Sequence, residues 1–326
     1  MFRRGPCATI DPSMNTRSVC VIGGCGFIGR HVVHLLSQRS INVMVPTRRR
    51  ERGRELFLLP TVEVVEADIF DPRQLARAVD GQDAVINLVG ILREAHRGDF
   101  HRVHEDLPRR LVEACRTLKV PRLIHVSALG AAHDGPSHYL RSKAAGEAQI
   151  RLALAAGIAT TIVRPSVVFG ADDRFLNPLA RLLRYTPLML LPCAHARVQP
   201  VFVEDLARVC VGILDRADTF EQSLSVCGPH VYRLIDLVRW LARVLELQRS
   251  VVPLNSSISM LFATLTEWLP GAPLSRDMVR SSRLDSVCST AFPEFAGAPT
   301  PLEAVAPTWL SGKDTRDTYY RYRSHN

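Results

Sequence analysis

The glycines that follow the first apolar run of the chain constrain its fold more than any other feature. Residues 19–22 are typical of a buried parallel strand, and Gly23, Gly26 and Gly29 come directly after it. Apolar residues then recur at helical spacing over residues 27–36. A glycine turn between strand and helix gathers free backbone N–H groups at the positive end of the helix dipole, which suits a pyrophosphate. The sequence therefore predicts a dinucleotide-binding turn.

Segments with strand and helix patterns alternate after this turn. Strands are predicted at residues 41–46, 62–67, 84–89, 122–127 and 160–163, and helices at 72–79, 101–118 and 137–155. Strands that alternate with helices form parallel sheets covered by helices on both faces. We therefore predict an α/β fold, a Rossmann-type doubly wound parallel sheet, over residues 17–170.

The alternation ends near residue 170. Helices are predicted at 177–184, 204–215 and 232–247, with short strands near 199–203 and 224–227. We expect residues 171–310 to form a smaller α+β lid that packs on the sheet. Residues 1–16 are predicted to be a flexible arm and residues 311–326 a polar tail.

The composition argues against several classes of protein. Lys and Arg number 41 against 32 Asp and Glu, and this net charge of +9 suits anionic partners such as nucleotide phosphates or an acidic membrane surface. Aromatic residues make up 6% of the chain, and without a recognisable nucleic-acid-binding motif this composition argues against DNA or RNA. The chain has no run of about 18 apolar residues, the length that a transmembrane helix needs.

The eight cysteines form neither a C-x-x-C pair nor a spacing with histidine that would bind a metal. We therefore expect buried reduced thiols rather than disulfides or zinc, as in a cytoplasmic protein. The basic N-terminus lacks the apolar core of a secretory signal, which agrees with that location.

A run of basic residues follows the second predicted strand. NAD sites usually place an acidic residue here for the ribose 2′-hydroxyl, whereas NADP sites place arginine against the 2′-phosphate. This chain has Thr47, Arg48 and Arg49, which favours NADP(H) over NAD(H). The alternative is a solvated basic helix start, which the helix dipole disfavours without a nearby anion. Asp68, after the third strand, either accepts from the adenine amino group or is an ordinary loop carboxylate.

Three further residues form a candidate catalytic set. Tyr139 and Lys143 are four residues apart in a predicted helix, so they share one face. Ser127 ends the fifth strand, at the carboxyl edge where open α/β sheets bind ligands. A nearby ammonium stabilises a phenolate, and a serine can orient a substrate oxygen. The alternative for Tyr139 and Lys143 is a common surface pair on a helix.

Several motifs carry a family resemblance: Gly23-x-x-Gly26-Phe27-Ile28-Gly29, Asp68, Asn87-x-x-Gly90, Ser127, Tyr139-x-x-x-Lys143 and Arg164-Pro165-Ser166-x-Val168-Phe169-Gly170. They resemble the short-chain dehydrogenase/reductase superfamily, in its extended and atypical epimerase-like branch. PTRRRER, VGIL, YLRSKAAGE and LSRDMVRSSRLDSV are more narrowly similar to the family around the NADPH-binding accessory subunit of respiratory complex I and its bacterial relatives. The resemblance spans residues 17–310, and Cys25 departs from it where threonine is more usual.

The resemblance implies a set of site residues. Cofactor contacts are expected from Gly23, Gly26, Phe27, Ile28, Gly29, Thr47, Arg48, Arg49, Asp68, Asn87, Gly90, Tyr139, Lys143, Pro165 and Ser166. The alternative for Pro165 and Ser166 is a strand that simply ends at proline.

The resemblance also implies two kinds of function. Superfamily members use the matching Ser127, Tyr139 and Lys143 for hydride transfer, redox-assisted epimerisation or dehydration, here with a link to quinone or respiratory-chain metabolism. The complex I subunit instead holds NADPH structurally, which implies a non-catalytic subunit associated peripherally with the inner face of a membrane. Apolar residues 185–192 and 257–269 either meet such a membrane or form a wall of the lid.

Overall fold

The computed structural model of the protein describes residues 15–266 and 275–311. The predictions for the arm and the tail, and for residues 267–269 of the apolar stretch, fall almost entirely outside the described residues. No helix in the described ranges is long and apolar enough to cross a membrane.

The described strands and helices are numbered in chain order. The strands are β1 (Ser18–Ile22), β2 (Asn42–Thr47), β3 (Val62–Glu66), β4 (Ala84–Asn87), β5 (Arg122–Val126), β6 (Ala159–Pro165), β7 (Val168–Phe169), β8 (Leu188–Leu191), β9 (Arg197–Val198), β10 (Val201–Phe202), β11 (Ser223–Val226), β12 (Tyr232–Arg233) and β13 (Ser250–Pro253). The helices are α1 (Phe27–Gln38), α2 (Pro72–Val79), α3 (Leu107–Leu118), α4 (His138–Arg151), α5 (Leu176–Tyr185), α6 (Val203–Gly212), α7 (Leu234–Val244), α8 (Ser256–Thr266), α9 (Arg276–Ser281), α10 (Leu302–Val305) and α11 (Pro307–Leu310).

A seven-stranded parallel sheet has the order β11-β6-β5-β4-β1-β2-β3. This is the doubly wound arrangement, in which the order reverses between β1 and β4. β1, β4 and β5 are nearly or wholly buried and largely apolar, as is typical of strands covered on both faces. The predicted fold class is confirmed, with strand ends within about two residues of those predicted.

The described chain divides into two compact units. The first comprises the described residues through Pro165 together with Glu204–Val226 and Pro293–Gly297. The second comprises Ser166–Val203, Cys227–Phe292 and the described residues from Ala298 onward.

Arg122 is the largest fully buried side chain of the first unit. Its guanidinium donates to the carbonyl oxygens of Leu214, Ala159 and Ile213 at 2.7–3.2 Å, and it also bonds the hydroxyls of Thr161 and Thr219. A buried charge is tolerable only with such partners. Arg122 therefore ties β5 and β6 to the segment 213–219.

The second unit contains three two-stranded sheets and its own apolar core. β10 pairs with β7, β12 with β9 and β13 with β8. The core is built largely from α5 and α7. Sequence reasoning did not predict β8 and β13. These strands have four residues each and pair across about sixty residues of sequence, so no local pattern indicates them.

The prediction that all eight cysteines are reduced thiols is wrong for two of them. Cys227 and Cys288 form a disulfide, with their Cα atoms 6.0 Å apart. The two residues are 61 positions apart, and spacing does not indicate such a pairing because the fold brings them together. Near the disulfide, Gln199 accepts from the Cys288 N–H and donates to the Gly228 carbonyl.

The predicted helix over 101–118 has two parts. A π-helical turn, His101–Asp106, precedes α3, and Pro108 lies in the first turn of α3, where proline is tolerated. A Cβ on Gly146 of α4 would lie 2.0 Å from the carbonyl oxygen of His104. The π-helical turn therefore approaches α4 so closely that only glycine fits at position 146.

Candidate active site

The register of the sheet brings the candidate site residues of the first unit to one edge. Ile22 pairs with Asn87, and Asn87 pairs with His125. The glycine turn after β1, the loop after β4 and Ser127 after β5 therefore lie side by side at the carboxyl ends of their strands. This is the edge where open α/β sheets bind ligands.

The glycine turn has the geometry of a phosphate cradle. Gly23 has a φ of 88°, and the Gly26 N–H donates to its carbonyl oxygen at 2.9 Å. Gly26 precedes α1 without a side-chain cap, and the first turn of α1 has no acidic residue. A Cβ on Gly29 would lie 2.2 Å from the Gly23 oxygen, so α1 can pack here only through glycine. The uncapped helix start suits an anion.

Cys25 connects this turn to the basic segment after β2. Its half-buried thiol lies beside Thr47, Arg30 and Arg52. Burial raises the pKa of the Cys25 thiol, and the hydrogen bond with Thr47 and the two arginines oppose this only in part. Cys25 therefore keeps a side-chain contact with Thr47 although the usual threonine hydroxyl is missing.

Arg48 and Arg49 are exposed at the carboxyl end of β2, next to the glycine turn. The Arg49 N–H donates to the Thr47 hydroxyl, which donates in turn to the Arg49 carbonyl. Neither guanidinium is in an ion pair with a residue that the structure describes. These positions leave both arginines accessible to an anion. Their contact with a 2′-phosphate stays a prediction.

Asp68 has local partners. Its carboxylate accepts from the Phe70 N–H at 3.0 Å, and its own N–H donates to Gln74 at 2.9 Å. These bonds are those of a turn carboxylate, the alternative considered from the sequence. Contact with adenine stays a prediction.

Lys143 is a buried residue of α4. Its ammonium donates to the carbonyl oxygen of Val126 at 2.9 Å. Burial lowers the pKa of Lys143 to about 8, and the negative charge of Glu147 limits the decrease. Glu147 is itself buried and paired with Arg164. Lys143 thus remains mostly protonated at neutral pH.

Tyr139 lies one turn before Lys143 on the same face of α4, whose start is capped by the Ser137 hydroxyl. Its ring contacts Phe100 and His104, with centroids 6.1 and 5.7 Å away. Burial raises the pKa of Tyr139 to about 12. In the free protein the phenol therefore carries its proton at neutral pH.

Ser127 presents a buried hydroxyl without a hydrogen-bond partner among the described residues. Its backbone N–H donates to the Val163 carbonyl at 2.7 Å, which fixes the residue at the end of β5. Buried hydroxyls are nearly always hydrogen-bonded, so one left without a protein partner indicates a place for a polar group of a bound molecule. This observation fits a substrate oxygen.

The loop after β4 is held by Asn87 and His125. Asn87 accepts from the Val89 N–H and donates to His125 Nδ1, both at 3.1 Å, which assigns the His125 proton to Nε2. Burial lowers the pKa of His125 well below its ordinary value, so it is neutral. His125 is fully buried.

Gly90, at the end of this loop, is exposed. A Cβ on Gly90 would lie 3.4 Å from Lys143 Nζ and 3.7 Å from His104 Nε2. The missing side chain leaves room above the ammonium for a ligand hydroxyl. Together with the uncapped start of α1, this space fits a nicotinamide dinucleotide.

Pro165 and Ser166 differ in their surroundings. Pro165 ends β6, and its carbonyl accepts from the Leu129 N–H. Ser166 belongs to the second unit, where its hydroxyl bonds the backbone and side chain of Ser286. A cofactor contact for these two residues stays a prediction. Asp173 accepts from backbone N–H groups at the start of α5, as a capping carboxylate does.

Comparison with known proteins supplies the family. The model of the NAD dependent epimerase/dehydratase family matches residues 19–228. The chain belongs to this family. The predicted family and its NAD(P)-binding Rossmann-type fold are thereby confirmed.

Two relatives and one solved structure are similar to this chain. Subunit 9 of the mitochondrial NADH dehydrogenase (ubiquinone) 1 alpha subcomplex of Mus musculus is 31% identical over 292 residues, which cover 87% of this chain and 77% of that protein. Ceramide reductase of Caulobacter vibrioides is 34% identical over 189 residues, 58% of each chain. A nucleoside-diphosphate-sugar epimerase of Staphylococcus aureus superposes with a TM-score of 0.67 at 19% identity, with 90% of this chain and 99% of that one covered. At that identity the superposition shows the fold alone.

Proposed function

We propose that the protein is an NADP(H)-binding oxidoreductase of the short-chain dehydrogenase/reductase type that interconverts a carbonyl and an alcohol. The observation that carries the proposal is the arrangement of Ser127, Tyr139 and Lys143. A buried hydroxyl that has no hydrogen-bond partner in the described part of the chain follows β5. A protonated phenol and an ammonium share one face of α4. These are the groups that a carbonyl reduction needs.

The residues of the first unit provide for the cofactor as follows. The start of α1 would hold the pyrophosphate, and Thr47, Arg48 and Arg49 would hold the 2′-phosphate. Lys143, beside Gly90, would hold the ribose hydroxyls. The cofactor, when bound, donates or accepts the hydride. NAD(H) is the less favoured ligand because exposed arginines, rather than an acidic residue, come directly after β2.

The chain's own residues move and hold the proton. Tyr139 Oη gives its proton to the substrate carbonyl oxygen during reduction and takes it back during oxidation. The Ser127 hydroxyl donates to the same oxygen and fixes its position. The Lys143 ammonium stabilises the phenolate that remains on Tyr139. The similarity to a ceramide reductase supports a reductase activity.

The first test uses Tyr139→Phe, with Tyr185→Phe at an exposed tyrosine as the matched control. NADPH oxidation is measured against a panel of ketones, and NADPH affinity is measured by fluorescence. We expect Tyr139→Phe to lose about 10²–10⁴-fold in turnover, the usual contribution of a positioned acid, with the dissociation constant of NADPH nearly unchanged. Equal turnover by wild type and Tyr139→Phe on an active substrate would refute the assignment. Mass spectrometry of the nucleotide released from purified protein tests the preference for NADP(H).

A second candidate is a subunit that holds NADPH without turnover, associated with a respiratory assembly at the inner face of a membrane. The similarity to a complex I subunit over 77% of its length favours it. Leu188, Leu190 and Val252 are also exposed on the paired strands β8 and β13. This candidate predicts that NADPH stays bound through extended dialysis and that the protein co-sediments with membranes. Rapid exchange of the nucleotide without membrane binding would exclude it.

A further inference from the structure

His104 is a buried residue that no sequence motif marks as functional. It lies in the π-helical turn before α3, and its side chain is 1% exposed. Single π-helical turns within helices occur frequently at functional sites because they redirect a side chain. Here the turn directs the imidazole toward the loop after β4 and toward α4.

Two hydrogen bonds fix the imidazole. The Ile91 N–H donates to Nε2 at 3.0 Å, so Nε2 is the unprotonated nitrogen. The proton therefore sits on Nδ1, which donates to the Ser142 hydroxyl at 2.8 Å. Ser142 donates in turn to the carbonyl oxygen of Tyr139 at 2.7 Å. The bonds run in one direction, from the loop at Ile91 through His104 and Ser142 to Tyr139.

Packing holds the ring in the same place. The imidazole stacks on Phe100 with centroids 5.4 Å apart and meets the Tyr139 ring edge-on at 5.7 Å. The backbone of His104 is pressed against α4 at Gly146, where a Cβ would lie 2.0 Å from the His104 carbonyl oxygen. His104 therefore contacts the phenol directly and the loop of Gly90 through a hydrogen bond.

We infer that His104 is a positioning residue that joins the Gly90–Ile91 loop to Tyr139, so that the cofactor loop and the phenol keep one relative geometry. The inference rests on the proposed function, in which Gly90 and Tyr139 contact cofactor and substrate. It does not make His104 an acid or a base. Burial, with a smaller effect of the Lys143 ammonium, lowers the pKa of His104 to about 2, so the ring stays neutral at physiological pH.

Two substitutions separate the two bonds. In His104→Gln the amide oxygen reaches the position of Nε2 and can accept from Ile91, but the bond to Ser142 is lost. In His104→Asn the amide nitrogen takes the position of Nδ1 and can donate to Ser142, but the Ile91 N–H loses its acceptor. Both variants remove the same ring, so they differ only in which hydrogen bond is lost. A buried donor without a partner is costly.

We expect one variant to change NADPH affinity and the other to change turnover. His104→Asn should raise the dissociation constant of NADPH about tenfold, from the loss of the buried Ile91 bond, and leave turnover at saturating NADPH within about twofold. His104→Gln should keep that dissociation constant within about twofold and lower turnover about tenfold. Ser142→Ala, which leaves the ring in place, should match His104→Gln even if both ring variants fold poorly.

A merely structural role gives a different result. In that case both variants would lower the unfolding temperature and change affinity and turnover in parallel, which would overturn the inference. Unchanged NADPH affinity in His104→Asn would overturn it as well. The nucleotide affinities need no turnover. If Tyr139→Phe retains activity, the proposed function fails, while the affinity difference between His104→Asn and His104→Gln still tests the link to the loop.

Discussion

Replacing Ser127 by alanine should leave the free protein as stable as the wild type or more stable. The Ser127 hydroxyl is buried and has no hydrogen-bond partner among the described residues. A buried polar group in that state costs about 1–3 kcal/mol of folding free energy. Ser127→Ala removes this cost and one small polar atom, so we expect its free energy of unfolding to rise by about 0–1 kcal/mol.

Ser137→Ala is the matched control. Ser137 is also a buried serine of the first unit, but its hydroxyl accepts from the Leu140 N–H at 3.1 Å and caps α4. Loss of such a cap costs about 0.5–2 kcal/mol. The two variants should therefore differ in stability by about 1–2 kcal/mol, although the substitution is the same.

The assay is hydrogen exchange of nucleotide-free protein, followed in peptides from α3 and β4, which contain neither substituted position. It reports the opening free energy of the first unit separately from that of the second. If Ser127→Ala destabilises the first unit as much as Ser137→Ala does, the hydroxyl has a partner in the free protein and the reasoning is refuted. For turnover we expect Ser127→Ala to be the more damaging of the two variants. Ser127→Ala should lose about 10²-fold in kcat/KM, as for other oxyanion-type donors, and Ser137→Ala far less.

Three further predictions concern Lys143, the arginines and the glycine turn. The pKa of Lys143 falls from 10.5 to about 8 in the folded protein, so the unfolded chain holds this proton more tightly and stability should rise between pH 8 and 10.5. In urea titrations at increasing pH, the free energy of unfolding of Lys143→Met should rise by about 3 kcal/mol less than that of the wild type. The same pH dependence in both proteins would contradict the burial of an ammonium. Replacing Arg48 and Arg49 together by Ser should weaken NADPH binding at least about tenfold, through loss of charge-assisted bonds, and leave NADH within about twofold. Equal losses for both nucleotides, measured by fluorescence, would argue against a 2′-phosphate contact. Gly29→Ala should lower the free energy of unfolding, measured in urea, by about 1–3 kcal/mol, because its Cβ would lie 2.2 Å from the Gly23 oxygen. Unchanged stability would mean that α1 can shift.

The parts of the site that follow from local pattern could be predicted from the sequence. The strand and glycine turn at Gly23 and the spacing of Tyr139 and Lys143 each depend on a few neighbouring residues. Parallel strands then bring such motifs to a common edge, so Ser127 could be placed there as well. Glu147 continues the same four-residue spacing after Lys143 and could have been found in the same way.

The remaining features depend on contacts between distant residues. Cys227 and Cys288 pair because the fold brings their segments together, and nothing in their spacing indicates it. His104 acquires its contacts because Gly146 lets a π-helical turn approach α4. A histidine in an amphipathic segment reads as an ordinary core residue until that approach is known.

The hydrogen bonds of Arg122 affect how the sheet forms during synthesis and where the chain can be truncated. Ile213 and Leu214, whose carbonyls accept hydrogen bonds from the guanidinium, leave the ribosome about ninety residues after Arg122. β11, which pairs with β6, emerges later still. Until then the guanidinium would have only its partners on β6, Ala159 and Thr161, and β6 would be an open strand edge. An open edge is a natural site for chaperone binding or aggregation. A polypeptide cut after residue 170 would stay in that condition, and one that continues through Gly297 would not. The nucleotide-binding half of this protein is therefore completed only late in translation.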